Sequence, residues 1–274
     1  MAAITAPASP TAAAPVRQRS SLAWALADTW AIAVRNLRGM ARVPQVIVFS
    51  TVQPIIFVLT FRYVFGGSIS VPGSVPYVDF LMPGVFVQTV AFGAMQTGVG
   101  LSEDLNKGLI ERFRSLPMAR SAVLGGRAVS DLVRNVGVVL LMIAMGFLVG
   151  FRIHAGVPAF LGSIVLLLLF SFAISWLFAL IGLGAPNGEA AQAASFPILA
   201  LLVFASTAFV PIEGMPGWLQ AYNRVQPVSV VVKAARALAL GGDTALPVLY
   251  SVLWIVGLVA VLVPLAVARY RKAA

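Results

Sequence analysis

Six apolar stretches, at residues 44–65, 79–100, 132–151, 159–183, 193–212 and 246–268, each offer the roughly 20 residues that a helix needs to cross a hydrocarbon core of about 30 Å. Only closed hydrogen-bonded structures survive in lipid, and runs of this length satisfy their own backbone groups as helices. A chain of 274 residues that is 60% hydrophobic and 10% charged, with a mean hydropathy of +0.96, cannot wrap that surface into a water-soluble globule. The fold class expected is therefore an all-α integral membrane protein with six transmembrane helices.

The formal net charge of +10 raises the question of nucleic acid, and its placement answers it. With both termini on the cytoplasmic side, the cytoplasmic segments hold Arg17, Arg19, Arg35, Arg38, Arg42, Lys107, Arg112, Arg114, Arg120, Arg127, Arg134, Arg269, Arg271 and Lys272, fourteen of the 19 basic residues. Arg62, Arg152, Arg224, Lys233 and Arg236 fall elsewhere. That bias orients the chain by the positive-inside rule and leaves no basic stripe for nucleic acid.

Residues 1–20, rich in Ala, Pro and Thr, lack the apolar core of a cleavable signal and read as a disordered cytoplasmic tail. Over 21–43, Leu22, Leu26, Trp30, Val34 and Leu37 recur at helical spacing while Asp28, Arg35, Arg38 and Arg42 mark another face, which predicts an amphipathic interfacial helix broken by Pro44. Such a helix serves equally as a membrane anchor or as a grip on a partner. Residues 44–274 form the six-helix membrane domain.

Two segments of that domain are too polar to span. The first, 101–127, carries Leu101, Leu105, Leu109 and Phe113 four residues apart, with Glu103, Lys107 and Glu111 at the same spacing on another face; this predicts a short cytoplasmic helix ended near Pro117. A merely solvated loop has no need of the apolar stripe. The second, 213–244, places Pro216 and Pro227 where each can open a short helix, with Trp218 and Tyr222 as interfacial anchors. Lys233 and Arg236 lie three apart and are expected to share a face reaching the outer headgroups. An outer gate and a surface loop both fit this composition.

Polar side chains within the spans are costly unless they face protein or water. In the second span Gln88, Phe92, Met95 and Gln96 fall near one helical face, where they either line a solute pathway or join helices. The fifth span, with Pro197, Phe196, Phe204, Ser206, Thr207 and Phe209, suggests a kinked aromatic wall, to which Phe204 and Thr207 would contribute pathway contacts. The fourth span reads as structural. Glu189, in the turn before the fifth, reads as a solvated loop residue.

Catalytic chemistry is hard to place. The chain has no Cys and one His, His154, so thiolate catalysis, disulfides, histidine-cluster metal sites and a hydrolytic triad are not expected. The nine acids are dispersed, with Asp79, Asp131 and Glu213 near span ends where interfacial solvation explains them, and none sits mid-membrane as a proton relay would. Glu103 and Asp104 are adjacent yet point to different azimuths, which rules out a paired-acid site. There is no G-x-x-x-x-G-K-[ST] phosphate loop, so any ATP-derived energy must come from another polypeptide.

Glu103, Gly108, the run Arg112-Phe113-Arg114-Ser115-Leu116-Pro117 and the segment Arg120 to Arg127 resemble the signature of type-2 ABC (ABC-2) exporter permeases, nearest to the daunorubicin/doxorubicin-resistance (DrrB-like) branch. Phe65-Gly66-Gly67, Leu81-Met82-Pro83-Gly84 and Asp131-Leu132-Val133-Arg134-Asn135 extend the resemblance over nearly the whole chain. It implies that the 101–127 loop is a coupling element docking in a groove of a nucleotide-binding ATPase subunit, through Glu103, Lys107, Gly108, Glu111, Arg112, Phe113, Arg114, Leu116, Pro117 and Arg120. It also implies that the short helices between the fifth and sixth spans dip into the outer leaflet, with Pro216, Trp218 and Pro227 at an outer gate.

The expected function is then the transmembrane permease subunit of an ATP-driven exporter of hydrophobic or amphiphilic compounds, drug- or lipid-like, in a bacterial cell membrane. It would carry no cofactor of its own, ATP and Mg belonging to the partner ATPase. A second permease copy or related permease, membrane lipid and the amphiphilic solute complete the partners. The alternatives are a glycan or lipid export permease of the same superfamily, and a non-transport integral membrane enzyme or assembly protein.

Overall fold

A computed structural model describes residues 27, 29–34, 38, 44–69, 71, 75–108 and 120–273. Every described element is helical: α1 (Pro44–Leu59) with a π-helical continuation (Thr60–Phe65), α2 (Tyr77–Asn106), α3 (Arg120–Val149), α4 (Val157–Gly182), α5 (Gly188–Phe204), a 3-10 turn (Ile212–Gly214), α6 (Gly217–Val225), α7 (Pro227–Leu240) and α8 (Ala245–Ala273). Four helices among the described residues are long and apolar enough to cross a membrane: Tyr77–Asn106, Val129–Val149, Val157–Gly182 and Ala245–Tyr270. Val52–Phe65 and Gly188–Phe204 are shorter apolar helices. The tail expected at 1–20 lies outside the described residues. Of the amphipathic segment, residues 29–34 are helical, with Ile32 and Ala33 buried, Trp30 exposed, and Ile32 close enough to Gly126 at the start of α3 that a Cβ there would collide with it.

Three boundaries depart from expectation. Residues 101–106, expected to start a separate cytoplasmic helix, continue α2, because nothing between Tyr77 and Asn106 stops the backbone ladder and Pro83 is tolerated near its start. The helix ends at Gly108, whose φ of +64° and whose N–H bonded to the Leu105 carbonyl make the left-handed close that glycine permits. The fifth span, expected over 193–212, is helical only to Phe204; α5 has 17 residues and reaches about 25 Å, and residues 205–211 are unwound. The third helix begins at Arg120, twelve residues before its apolar run.

α2 is the central post. It packs against α4, α5, α3 and α7, while α8 lies outside on α4 and α7. Its buried residues include Leu81, Met82, Phe86, Val90, Ala94 and Leu101. Because lipid tails are as apolar as leucine, close packing and hydrogen bonds hold such helices together more than exclusion of apolar surface does. The α2/α4 crossing uses this: Gly98 and Gly182 sit back to back, and a Cβ on either would strike the other helix's backbone oxygen, at Phe178 or Gly98. Nearer the opposite end Phe86 packs edge to face on Phe151 and Phe160, at 5.9 and 6.5 Å, and those two rings lie tilted 6.0 Å apart.

One end of the bundle, called the lower end, gathers Asn106, Arg120, Gly182, Gly188 and Arg269: Ser102 donates to the Ala185 carbonyl at 3.2 Å, and Arg269 covers Gly184. The upper end gathers Tyr77, Val149, Val157 and residues 205–244, tied by the Tyr77 hydroxyl to the Phe209 carbonyl (3.0 Å) and by His154 N–H to the Ala239 carbonyl (2.9 Å).

Candidate functional site

At the lower end the expected coupling residues divide. Glu103 and Lys107 form an exposed i,i+4 pair, Nζ to Oε2 3.2 Å. The Glu103 carboxylate also stands against the first residue of α5, where a Cβ on Gly188 would lie 3.1 Å from Oε1, so a negative charge meets the positive end of a helix capped by Asn187. Glu189 in that first turn is exposed. Glu111, Arg112, Phe113, Arg114, Leu116 and Pro117 lie outside the described residues, and Arg120 opens α3.

Between the helices that lead into and out of that loop runs a ladder of charges. Arg127 on α3 is ion-paired with Asp104 on α2, and its Nε lies 3.9 Å from Asp131 Oδ2. Arg134 lies 3.3 Å from Asp131 Oδ1 and donates from Nη2 to the carbonyl of Gly93 at 2.6 Å. One step further, Asn135 donates to Ser171 Oγ at 2.6 Å, and that hydroxyl donates to the Val90 carbonyl at 3.3 Å. The ladder thus climbs from the loop to mid-helix and pins α3 and α4 to α2. Asp131, expected to be solvated at an interface, is instead buried, because Arg127 and Arg134 stand four residues before it and three after and neutralise it on its own helix. A small cavity lined by Thr97, Asp131, Asn135, Ser171 and Ser175 adjoins the ladder, with room for one water.

At the upper end, Asp79 is likewise buried rather than interfacial: Oδ1 accepts from the Arg152 backbone N–H at 2.9 Å, and Oδ2 lies 3.9 Å from Nε2 of half-exposed His154. Arg236 corrects a second expectation. It does not share an outward face with Lys233, which is exposed; its Nε donates to the Phe80 carbonyl (2.8 Å) and its Nη2 to those of Thr207 (2.6 Å) and Ala208 (2.9 Å). The unwound stretch 205–211 leaves those carbonyls without helical partners, and the guanidinium fork finds them. Pro216 caps α6, Trp218 is exposed, and Pro227 is the first residue of α7.

The expected pathway residues differ in exposure. Gln88 and Met95 are buried in the protomer, Phe92 is partly buried and Gln96 exposed, since α2 is enclosed on most of its circumference. Phe204 is half-exposed and Thr207 buried. An aromatic wall does form, from α1 with its π-helical continuation and from the last residue of α5 with the unwound stretch after it: Phe61 stacks on Phe209 at 4.6 Å, and Phe57 lies 5.7 Å from Phe204 and 5.9 Å from Phe209.

Sequence reasoning missed two of these groupings. The ladder is signalled by an acid flanked by arginines at helical spacing, Arg127-Asp131-Arg134, beside an apolar run. The clamp is signalled by Arg236 standing alone among Val231, Val232, Ala234, Ala235 and Ala239, all buried.

Residues 27–240 match the ABC-2 type transporter family. The chain belongs to that family. It is 34% identical over 259 residues, 93% of this chain and 90% of the relative, to the daunorubicin resistance ABC transporter permease protein DrrB1 of Streptomyces coeruleorubidus. Identity is 29% over 247 residues, 87% of this chain and 86% of the relative, with the probable doxorubicin resistance ABC transporter permease protein DrrC of Mycobacterium tuberculosis. A putative transport permease, ycf38, of Cyanophora paradoxa is 25% identical over 205 residues, covering 73% of this chain and 69% of its own. The ABC-2 family chain is thus a multi-pass membrane transport subunit, a permease like the relatives named above, with ATP hydrolysis on a separate subunit.

Proposed function

We propose that this chain is the permease of an exporter of hydrophobic, amphiphilic compounds, working with two ATPase subunits and a second permease copy or related permease in a bacterial cell membrane. The observation that carries the coupling part is the Asp104–Arg127 ion pair. It ties the helix that precedes residues 109–119 to the helix that follows them, so a push on that segment moves α2 and α3 as one body.

In this reading the chain crosses the bilayer six times, by α1 to α5 and α8, with both termini and the lower end cytoplasmic. α2 is about 45 Å long, some 15 Å more than the hydrocarbon core, which lets its lower end stand in the cytoplasm and present the loop. Glu103, Lys107, Gly108, Glu111, Arg112, Phe113, Arg114, Leu116, Pro117 and Arg120 meet the ATPase. α5 buries a single stripe, Ala191, Ser195, Leu199 and Val203, and leaves Phe196, Leu201 and Phe204 exposed; with Gln96 and the Phe57–Phe61–Phe209 stack this face borders the solute path and the second permease. Residues 205–240, with Pro216, Trp218 and Pro227, form the outer gate. The relatives named for daunorubicin and doxorubicin resistance support a drug-like, hydrophobic or amphiphilic solute.

The test is co-purification from nanodiscs with the ATPase encoded beside the gene, comparing wild type with the double variant Arg112→Glu, Arg114→Glu. A stable, ATP-hydrolysing wild-type complex that the variant fails to form is expected. Association of both at equal strength would remove the loop from the mechanism, and no association of either would favour the assembly-protein alternative.

A further inference from the structure

Unwound backbone at membrane depth carries donors and acceptors that lipid cannot satisfy. At residues 205–211 α7 supplies both kinds of partner from one face. Ser229 Oγ accepts from the Thr207 N–H at 3.0 Å, and two turns later Arg236 takes the carbonyls of Thr207 and Ala208. Ser229 is itself fixed by Asn223 and Gln226, at 2.5 and 2.7 Å. The third arm of the grip reaches α2, where Arg236 bonds the Phe80 carbonyl and its guanidinium carbon stands 3.5 Å from the centre of the Phe80 ring.

No carboxylate is paired with Arg236 among the described residues. The part-buried guanidinium is therefore hydrogen-bonded only to neutral carbonyls and seated on a ring, with the Glu213 carboxylate acting on it from beyond ion-pair distance, and these contacts satisfy its planar fork while the segment is closed. Water can replace all of these once the segment parts, whereas a buried ion pair would resist separation. Such a site has two discrete arrangements, dry and gripped or wet and released, as a gate requires.

We propose that Arg236 is the latch of the upper gate, a positioning residue whose guanidinium holds the unwound end of α5 against α2 and α7 until the ATP-driven movement releases it. This rests on the reading of residues 205–240 as the outer gate.

The chain has no cysteine, so Thr207→Cys introduces a single thiol at a buried position of the gripped segment. Labelling by a membrane-impermeant maleimide is followed on the full complex with its ATPase, at rest and during ATP turnover, with Arg236 intact, Arg236→Gln and Arg236→Lys. Protection at rest, labelling during turnover, a rise of about tenfold or more in resting labelling for Arg236→Gln, and an intermediate rise for Arg236→Lys are expected, as follows from losing charge-assisted hydrogen bonds. Resting protection unchanged by both substitutions, with labelling during turnover retained, would overturn the latch and leave the gate standing. A thiol never labelled during turnover, in any background, would overturn the gate and the latch with it. Should Arg236→Gln fail to assemble, Arg236→Lys alone decides: resting labelling equal to that with Arg236 intact counts against the latch.

Discussion

Arg134 reaches from the middle of α3 to the carbonyl of Gly93 at the middle of α2, its Nη2 2.6 Å from that oxygen, and Asp131 one turn below keeps its charge balanced. A buried pair of this kind is a weak source of net stability, yet removal of one partner leaves the other charge uncompensated.

Asp131→Asn is therefore expected to destabilise the folded protein by about 3 to 5 kcal/mol, since Arg127 and Arg134 lose their shared counter-charge. Urea or thermal unfolding in detergent measures it. In the double variant with Arg134→Gln much of the loss should be recovered, and a strictly additive result would mean that the two residues do not act as a unit.

Asn135→Ala removes a neutral bond, Nδ2 to Ser171 Oγ, and interhelical hydrogen bonds in membranes are worth about 0.6 to 1.7 kcal/mol. The same unfolding assay should rank it well below Asp131→Asn.

Gly98→Ala places a methyl against the Phe178 carbonyl oxygen on α4. Overpacking costs about 1 to 3 kcal/mol, and here the obstacle is backbone, which cannot rotate aside. A lowered melting temperature is expected, whereas Gly67→Ala, which meets open space, should leave it unchanged.

Phe204→Ala and Phe61→Ala separate solute contact from packing. Phe61 stacks on Phe209, and its loss should lower stability by about 0.5 to 1.5 kcal/mol beyond its area. Phe204→Ala should raise the apparent KM for an aromatic solute several-fold in vesicle efflux and, because its ring also packs on Phe57 and Phe209, should lower the melting temperature no more than Phe61→Ala does. An unchanged KM would take Phe204 out of the pathway.

The long apolar helices were legible because lipid imposes one constraint everywhere along them: about twenty residues without charge. What that constraint does not govern was harder to read. Residues 205–211 carry local signals, with Ser206 Oγ bonded to the Val203 carbonyl and the Ala208 N–H and with Pro211 closing the stretch; what has no local signature is that α7 offers Ser229 and Arg236 as partners for the freed backbone. Asp79 and Asp131 carry the same charge as any surface acid, and only the neighbours on other turns and other helices decide that they are buried. Glu103 and Lys107 paired as their spacing suggested because that pairing is local to one helix. Gln88 and Met95 share a face with Phe92, yet α2 is enclosed on so many sides that sharing a face does not expose them.

The short α5 has a consequence for the surrounding bilayer. At about 25 Å it is shorter than the hydrocarbon core, while α4 beside it reaches about 39 Å. In the proposed arrangement the second permease covers the aromatic face, so lipids would thin or tilt only along the margins of α5, and hydrophobic mismatch is concentrated there. Acyl-chain length would then act on this transporter locally, tuning the strip of membrane next to the aromatic face, and a thicker bilayer would hinder it there first.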